Sequence, residues 1–190
     1  LLGGQLNIYN SYASYVQKDF ESISHELSSK YNVIEVNDKE IDFLNAVHTS
    51  QLIIYDKALS YYFIEEAKQF GKISTVMSNM IDRGNEYSDN DYIAQIKLQE
   101  NLTTKMNKLM QDYDIDYIIT PSTASAAPKI GFHELEDSAL IWTYFGMPSV
   151  SLPVFQNSLL NLPYGLQIVG SRYDDLSLLK FVKVFDERIN

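Results

Sequence analysis

All five prolines of this 190-residue chain fall within one stretch, Asp116 to Gly170. Pro121, Pro128, Pro148, Pro153 and Pro163 punctuate three short β-prone runs there, around Ile118-Ile119, Val150-Ser151-Leu152 and Leu166-Gln167-Ile168-Val169. Proline fixes φ and lacks an N–H, so it ends or edges a strand. Runs this short, bounded by Pro or Gly, fit buried strands that enter tight, fixed turns. The stretch therefore predicts a sheet core with rigid connections.

Upstream, Gln5–Tyr9 is a candidate strand after the Gly3-Gly4 turn. Val16, Phe20, Ile23 and Leu27 recur at helical spacing, which predicts an amphipathic helix to about Lys30. Val33–Val36 reads as a second strand, so the three pieces form one right-handed βαβ unit with a parallel pair. From about Glu40 to Met110 the chain is mainly helical, and Leu52, Tyr55, Leu59, Tyr62 and Phe63 mark one apolar face. Lys72–Arg83 is a shorter helix with Gly84 at its C-cap. Ser88-Asp89-Asn90-Asp91 reads as a capped start for a helix presenting Leu98, Leu102, Met106 and Leu109. A further helix is expected from Glu134 to Phe145, with Glu134, Glu136 and Asp137 near its positive end. A last one starts at Asp174-Asp175 and buries Leu176, Leu179, Val182 and Phe185. The fold class is α/β, a mixed β-sheet flanked by helices. The chain suits one domain or a large piece of one, divided into 1–37 (βαβ-like), 38–112 (helical) and 113–190 (the proline-rich strands and last helix).

Charge narrows the partners. A net charge of −10 argues against nucleic acid or an anionic membrane as a direct partner, because phosphate binding needs clustered Lys and Arg. With no cysteine there is no disulfide, thiolate nucleophile or Cys-based zinc site. No apolar run is long enough to span a membrane and no signal peptide is evident, so a cytoplasmic location is expected. Leu1 stands where an initiating Met would, so a trimmed or partial chain is expected.

Asp112-Tyr113-Asp114 running into Thr120-Pro121, then Ala127-Pro128, then Gly146-Met147-Pro148-Ser149-Val150-Ser151-Leu152-Pro153, then Leu162-Pro163-Tyr164-Gly165-Leu166-Gln167-Ile168-Val169-Gly170 occur in that order. This order and spacing resembles the C-terminal third of the amidase signature family, sharply over Asp112–Phe185 and faintly over the first 110 residues. The resemblance implies a serine hydrolase that cleaves, or transfers ammonia from, carboxamides through an acyl-enzyme without metal or organic cofactor. In that family a serine in a Gly-Ser-rich loop is the nucleophile, while a second serine and a lysine move its proton. An alcohol needs such a base, and the tetrahedral oxyanion needs preorganised donors. Neither Gly-x-Ser-x-Gly nor a Gly-Gly-Ser-Ser-Gly loop occurs in this chain, and Ser28-Ser29 lacks the glycines. No catalytic residue is therefore assigned, and the isolated chain is expected to be inactive.

By the same resemblance the C-terminal portion supplies the roof and side wall of a substrate pocket. The family's acidic substrate-holding position falls near Glu136, with Asp137 one residue away. Trp142-Thr143 stands where many glutamine-type members carry Asn, which implies a more apolar acyl or amine group. The family's carboxylate-clamping Arg falls near Gln99, so that clamp is missing. Core packing under the Gly146 turn explains Trp142 at least as well, and Gln167 reads as a buried amide satisfying neighbouring backbone. His133-Glu134 is a weak metal signal, since a solvated helix start explains it better. Tyr61-Tyr62-Phe63 is core or interface packing more often than a cofactor box. The partners expected are a small carboxamide and the missing N-terminal catalytic portion or a separate catalytic chain. The competing reading is a non-catalytic paralogue or split-enzyme half that serves as a binding or assembly module.

Overall fold

The computed structural model describes residues 11–36, 38–69, 71–132, 134–135 and 138–189. They fall into two compact units, the described part of Leu1–Asn45 with Lys105–Asn190, and Ala46–Thr104.

The first unit is built on a three-stranded sheet in the order β1-β3-β2, with β1 at Ile118–Pro121, β2 at Ser149–Asn157 and β3 at Leu162–Val169. Both pairings are antiparallel, and Ile118 and Ser149 oppose Val169 from its two sides. Strand β3 is central, and every residue from Tyr164 to Val169 is buried. The register of β2 shifts between Leu152 and Phe155, where Pro153 cannot donate to the ladder. The β2–β3 turn is held by Asn157, whose Oδ1 accepts from the N–H groups of Leu159 and Leu160 at 3.1 and 2.9 Å.

Helices cover this sheet. Helix α1 (Ser14–Ser28) buries Val16, Phe20 and Leu27, three of the four residues that predict it. A short α2 (Asp38–Ile41) and a 3-10 turn (Asp42–Ala46) follow. Two more helices, α7 (Ala139–Phe145) and α8 (Asp175–Ile189) in chain order, flank β2 and β3 in sequence. Helix α7 buries Trp142, Tyr144 and Phe145 and stops at Gly146, whose φ is 62°. There the N–H groups of Gly146 and Met147 donate to Thr143 O and Trp142 O. This left-handed stop suits a residue without Cβ and turns the chain into Pro148 and β2. Tyr117, just before β1, stacks on Phe181 of α8 at 4.1 Å between ring centroids.

The second unit contains α3 (Val47–Tyr62), α4 (Ile64–Ala67), α5 (Thr75–Glu86) and the opening turns of α6 (Asp89–Asp112). Ser88 and Asp91 form the expected capping pattern: Asp91 N–H donates to Ser88 Oγ at 3.1 Å, and Ser88 N–H to Asp91 Oδ2 at 2.9 Å. Hydrogen bonds from Ser88, first the one from its hydroxyl, hold the Asp91 carboxyl below its usual range. Helices α3 and α5 meet through small and polar groups. Arg83 donates from Nε and Nη2 to the two oxygens of Asp56 at 2.8 and 3.2 Å, and Asp56 is fully buried. No described helix is long and apolar enough to cross a membrane.

Several local expectations are corrected. Gly84 does not end α5, which runs on to Glu86. Gly84 is buried, and a Cβ there would lie 2.0 Å from Asp56 O, so the glycine serves close helix approach rather than a cap. The buried side of α3 is Val47, Ser50, Asp56 and Ser60, whereas Tyr55, Tyr62 and Phe63 are exposed. In α8 the buried stripe is Leu178, Val182 and Phe185, spaced at four and three residues, and Leu176 and Leu179 are exposed. Val33–Val36 forms no strand. Its apolar side chains pack instead, Val36 in the core and Val33 and Ile34 against a cavity shared with Tyr31 and Phe181. Gln5–Tyr9, the other strand of the expected parallel pair, lies outside the described residues, and the described sheet is antiparallel. Helix α7 also starts at Ala139 rather than Glu134.

Candidate functional site

A cleft of about 340 Å³ opens in the first unit where the chain leaves β1 and where β2 and β3 slip register. Its floor is Gly165 in β3. A Cβ on Gly165 would lie 2.3 Å from Ser151 Oγ and 2.5 Å from Ser122 Oγ, so hydroxyls from β2 and from the loop after β1 converge over one glycine. Ser122 N–H donates to Gly165 O at 2.8 Å, which extends the β1–β3 ladder by one bond and fixes the loop that follows. Thr123, next in that loop, lines the cleft and has a buried Oγ1 with no hydrogen-bond partner. Pro128, Leu135, Pro153 and Pro163 give the cleft apolar, rigid walls. Glu134 is the one charged side chain among its described lining residues.

Helix α1 sets the position of the loop after β1. Ala13 N–H donates to Ala124 O at 2.9 Å, and the Tyr15 hydroxyl accepts from Ala126 N–H at 2.6 Å. Tyr12 reaches further, accepting from Ser138 N–H at 2.7 Å just before α7. Beneath the floor a buried polar chain ties the sheet together. Ser138 Oγ lies 3.1 Å from Thr120 Oγ1 and 3.2 Å from Pro121 O, and can donate to one at a time. Thr120 Oγ1 lies 3.4 Å from Gln167 Oε1, and Gln167 Nε2 donates to Ser149 Oγ at 3.3 Å. The partners found for Gln167 are thus cross-strand side chains rather than the neighbouring backbone expected from the sequence.

Tyr164 closes one side. Its hydroxyl donates to Asp19 of α1, and its ring stacks on Phe155 at 5.1 Å and meets Tyr15 edge-on at 5.6 Å. Burial first, then the bond to Asp19, raises the phenol above its ordinary value of 10.0. The folded chain therefore keeps this proton to higher pH than the unfolded chain does. Its contribution is complete below about pH 10 and is lost as pH rises through the folded value. Tyr164→Phe should cost about 1 kcal/mol near neutrality and make the alkaline loss of stability shallower. Urea unfolding midpoints measured from about pH 8 to pH 11 would check this. An unchanged alkaline slope would contradict it.

Of the residues singled out in the sequence, Glu136 and Asp137 lie outside the described residues, as does His133. Trp142 is 1% exposed, and its Nε1 is buried without a hydrogen-bond partner. Thr143 is exposed on α7, and its hydroxyl donates to Ala139 O at 3.1 Å. Neither lines the cleft, whereas Glu134, further up the same stretch of sequence, does. Ser122, Thr123, Ser151 and Gly165 were not singled out. Their signal was position, since each lies within two residues of a motif proline, Pro121, Pro153 or Pro163.

A cleft of this size with a few hydroxyls on its floor and apolar walls has the composition of a small-molecule pocket. Comparison with known proteins gives the family. The chain belongs to the amidase family, the one whose signature its motifs resemble: the family model described as Amidase matches residues 10–179. A glutamyl-tRNA(Gln) amidotransferase subunit from Syntrophomonas wolfei subsp. wolfei is 23% identical over 143 residues, 70% of this chain and 28% of the relative. Its counterpart from Pseudothermotoga lettingae is 31% identical over 98 residues, 48% of this chain and 20% of the relative. The chain thus spans 28% and 20% of the lengths of these curated relatives. A solved structure described as "Crystal structure of amidase" superposes with a TM-score of 0.85 at 19% identity, over 100% of this chain and 45% of that one, which establishes the fold.

Proposed function

We propose that this chain is a C-terminal part of an amidase-type hydrolase, and that it forms one wall of a pocket for a small carboxamide. One observation carries the reading. Ser122 after Thr120-Pro121, Pro128 of Ala127-Pro128, Ser151 and Pro153 after the Gly146 turn, and Pro163 and Gly165 before Leu166 all line a single cleft. Four motifs read separately along the sequence therefore meet at one place.

The reaction assigned is attack of a serine hydroxyl on the amide carbonyl, release of the amine or ammonia, and hydrolysis of the acyl-enzyme. It calls for a base at the serine and donors at the oxyanion, with no metal or organic cofactor. The serine-serine-lysine machinery is assigned to polypeptide outside these 190 residues, because no Gly-Ser-rich loop occurs within them. The whole assembly is then cytoplasmic, with 1–37 and 38–112 as its lead-in segments and 113–190 carrying the pocket motifs. The relatives named as amidotransferase subunits support a second polypeptide as partner. Glu136, Asp137, Trp142 and Thr143 remain the residues assigned to the substrate by the family pattern, beside the cleft residues named above.

A fluorophosphonate probe, which reacts with activated serines, should leave the purified 190-residue chain unlabelled. Stoichiometric labelling would place the nucleophile inside the chain and overturn this division of labour.

A further inference from the structure

We propose that a second cavity, where the chain enters β1, binds an alkylated organic ammonium among aromatic rings, with two carboxylates at its rim. The cleft around Gly165 lies where the chain leaves that strand, and the proposal does not rest on the amidase reading.

Three observations carry it. First, this cavity of about 320 Å³ is lined by the rings of Tyr31, Tyr117, Phe181 and Phe185. They form one cluster: Phe181 stacks on Tyr117 and meets Tyr31 edge-on at 5.9 Å, while Tyr31 lies 5.8 Å from Phe185. Phe185 is buried, but the other three are only half-buried, so ring surface remains uncovered. Ring faces attract a cation through their quadrupole. Second, Asp114 and Asp116 are the only charged side chains in the described lining, and both are exposed. Neither carboxylate has a hydrogen bond or ion pair with a described residue. Their field is felt at Tyr117, whose phenol is raised first by burial and then by the carboxylates of Asp174 and Asp116. Third, two helices end at this cavity. Leu27, in the last turn of α1, lines it, and Asp114 lies just past the end of α6 at Asp112. A helix C-terminus carries partial negative charge and favours a cation. Lys30, just past α1, is already paired with Glu26 at 2.8 Å. The kind of ammonium follows from the lining. A primary ammonium brings three N–H donors that must be satisfied, and burying one without an acceptor is costly. The Tyr117 hydroxyl is committed to Ser177 O at 3.2 Å, and Leu27, Val33 and Ile34 offer no acceptor on their side chains. Alkyl groups on the nitrogen need none and pack against the rings. The volume falls within the usual small-ligand range of roughly 300–1,000 Å³.

The test is a titration of the ¹⁵N-labelled chain at matched ionic strength, followed at the backbone amides of Tyr31, Asp116 and Tyr117. The probes are choline, its neutral analogue dimethylbutanol with carbon in place of nitrogen, and the primary ammonium ethanolamine. Choline should saturate these shifts at a concentration about tenfold lower than dimethylbutanol and about fivefold lower than ethanolamine. Asp114→Asn combined with Asp116→Asn should weaken choline by about fivefold and leave dimethylbutanol unchanged. Phe181→Leu should weaken choline by about fivefold as well, with the rest of the spectrum as dispersed as before. If Phe181→Leu does not fold, the double Asn variant decides alone, since it changes only exposed side chains. Dimethylbutanol binding as well as choline, variants binding like the parent, or no shift at these amides would each overturn the proposal. So would ethanolamine binding at least as tightly as choline, since recognition would then belong to the carboxylates without the rings. Every readout here is binding at the entrance to β1, so failure of this proposal leaves the amidase reading standing, and serine labelling of the chain leaves this proposal standing.

Discussion

Gly84→Val is expected to lower the thermal midpoint of the Ala46–Thr104 unit by about 10 °C, through a loss of roughly 3 kcal/mol or more. Even an alanine Cβ at this position would stand 2.0 Å from Asp56 O, 2.5 Å from Asp56 C and 2.9 Å from Ser60 Cβ. Two of those atoms are backbone within α3, so no rotamer change relieves the overlap and the helices must separate. Separation also pulls Arg83 from Asp56, leaving a fully buried carboxylate without its fork of donors. Breaking a buried pair in this one-sided way is strongly unfavourable. Arg83 itself is about half exposed, so Arg83→Met should cost less than Gly84→Val. Circular dichroism melts of the two variants check the order. A Gly84→Val melt within about 2 °C of the parent would show that the helices are not packed as described.

Gly165→Ala should have the second largest effect, on ligand binding more than on stability. Its Cβ would occupy the point on which Ser122 Oγ and Ser151 Oγ converge. Hydroxyls can rotate, but Leu152 O at 3.1 Å is backbone and yields less. The fold should lose about 1–2 kcal/mol. Turning both hydroxyls away and filling the floor should weaken butyramide binding by roughly a hundredfold. Combining Gly165→Ala with Ser151→Gly relieves the tighter of the two overlaps, so the pair should couple and recover part of the stability. An affinity unchanged in Gly165→Ala would remove Gly165 from the floor of the site.

These two glycines, set beside Gly146, explain what the sequence could convey. Gly146 was legible as a turn because it follows an apolar helical run and precedes a proline, and its φ of 62° is a local property. Gly165 was legible as part of a motif, though not as a floor, since the hydroxyls above it come from residues 122 and 151 and meet only through strand register. In that register Thr120 and Ser151 oppose Gln167 from its two sides. Gly84 was misread because its purpose is set by Asp56 on another helix, and a glycine late in an amphipathic run looks locally like a cap. Val33–Val36 has strand propensity without a strand, because β-propensity expresses side-chain burial, which Val36 finds in the core while Val33 and Ile34 line a cavity with Tyr31 and Phe181. Proline and glycine punctuation thus located β1, β2 and β3 without fixing their ends, since β2 runs through Pro153 to Asn157 and β3 contains Pro163 and Gly165. The helix faces, which depend on partners, were placed correctly only in α1 and in the latter half of α6, where Leu102, Met106 and Leu109 are buried.

Ammonia release from butyramide is the most direct measurement, made in parallel on the protein purified at its natural length with whatever copurifies, and on the 190-residue chain. If the chain is the pocket wall of an amidase whose nucleophile lies elsewhere, the natural material releases ammonia and the isolated chain does not. Release by the isolated chain would contradict the placement of the nucleophile. Natural material inert toward butyramide and a panel of other small carboxamides would contradict the amidase function itself and turn attention to a binding or assembly role for the cleft.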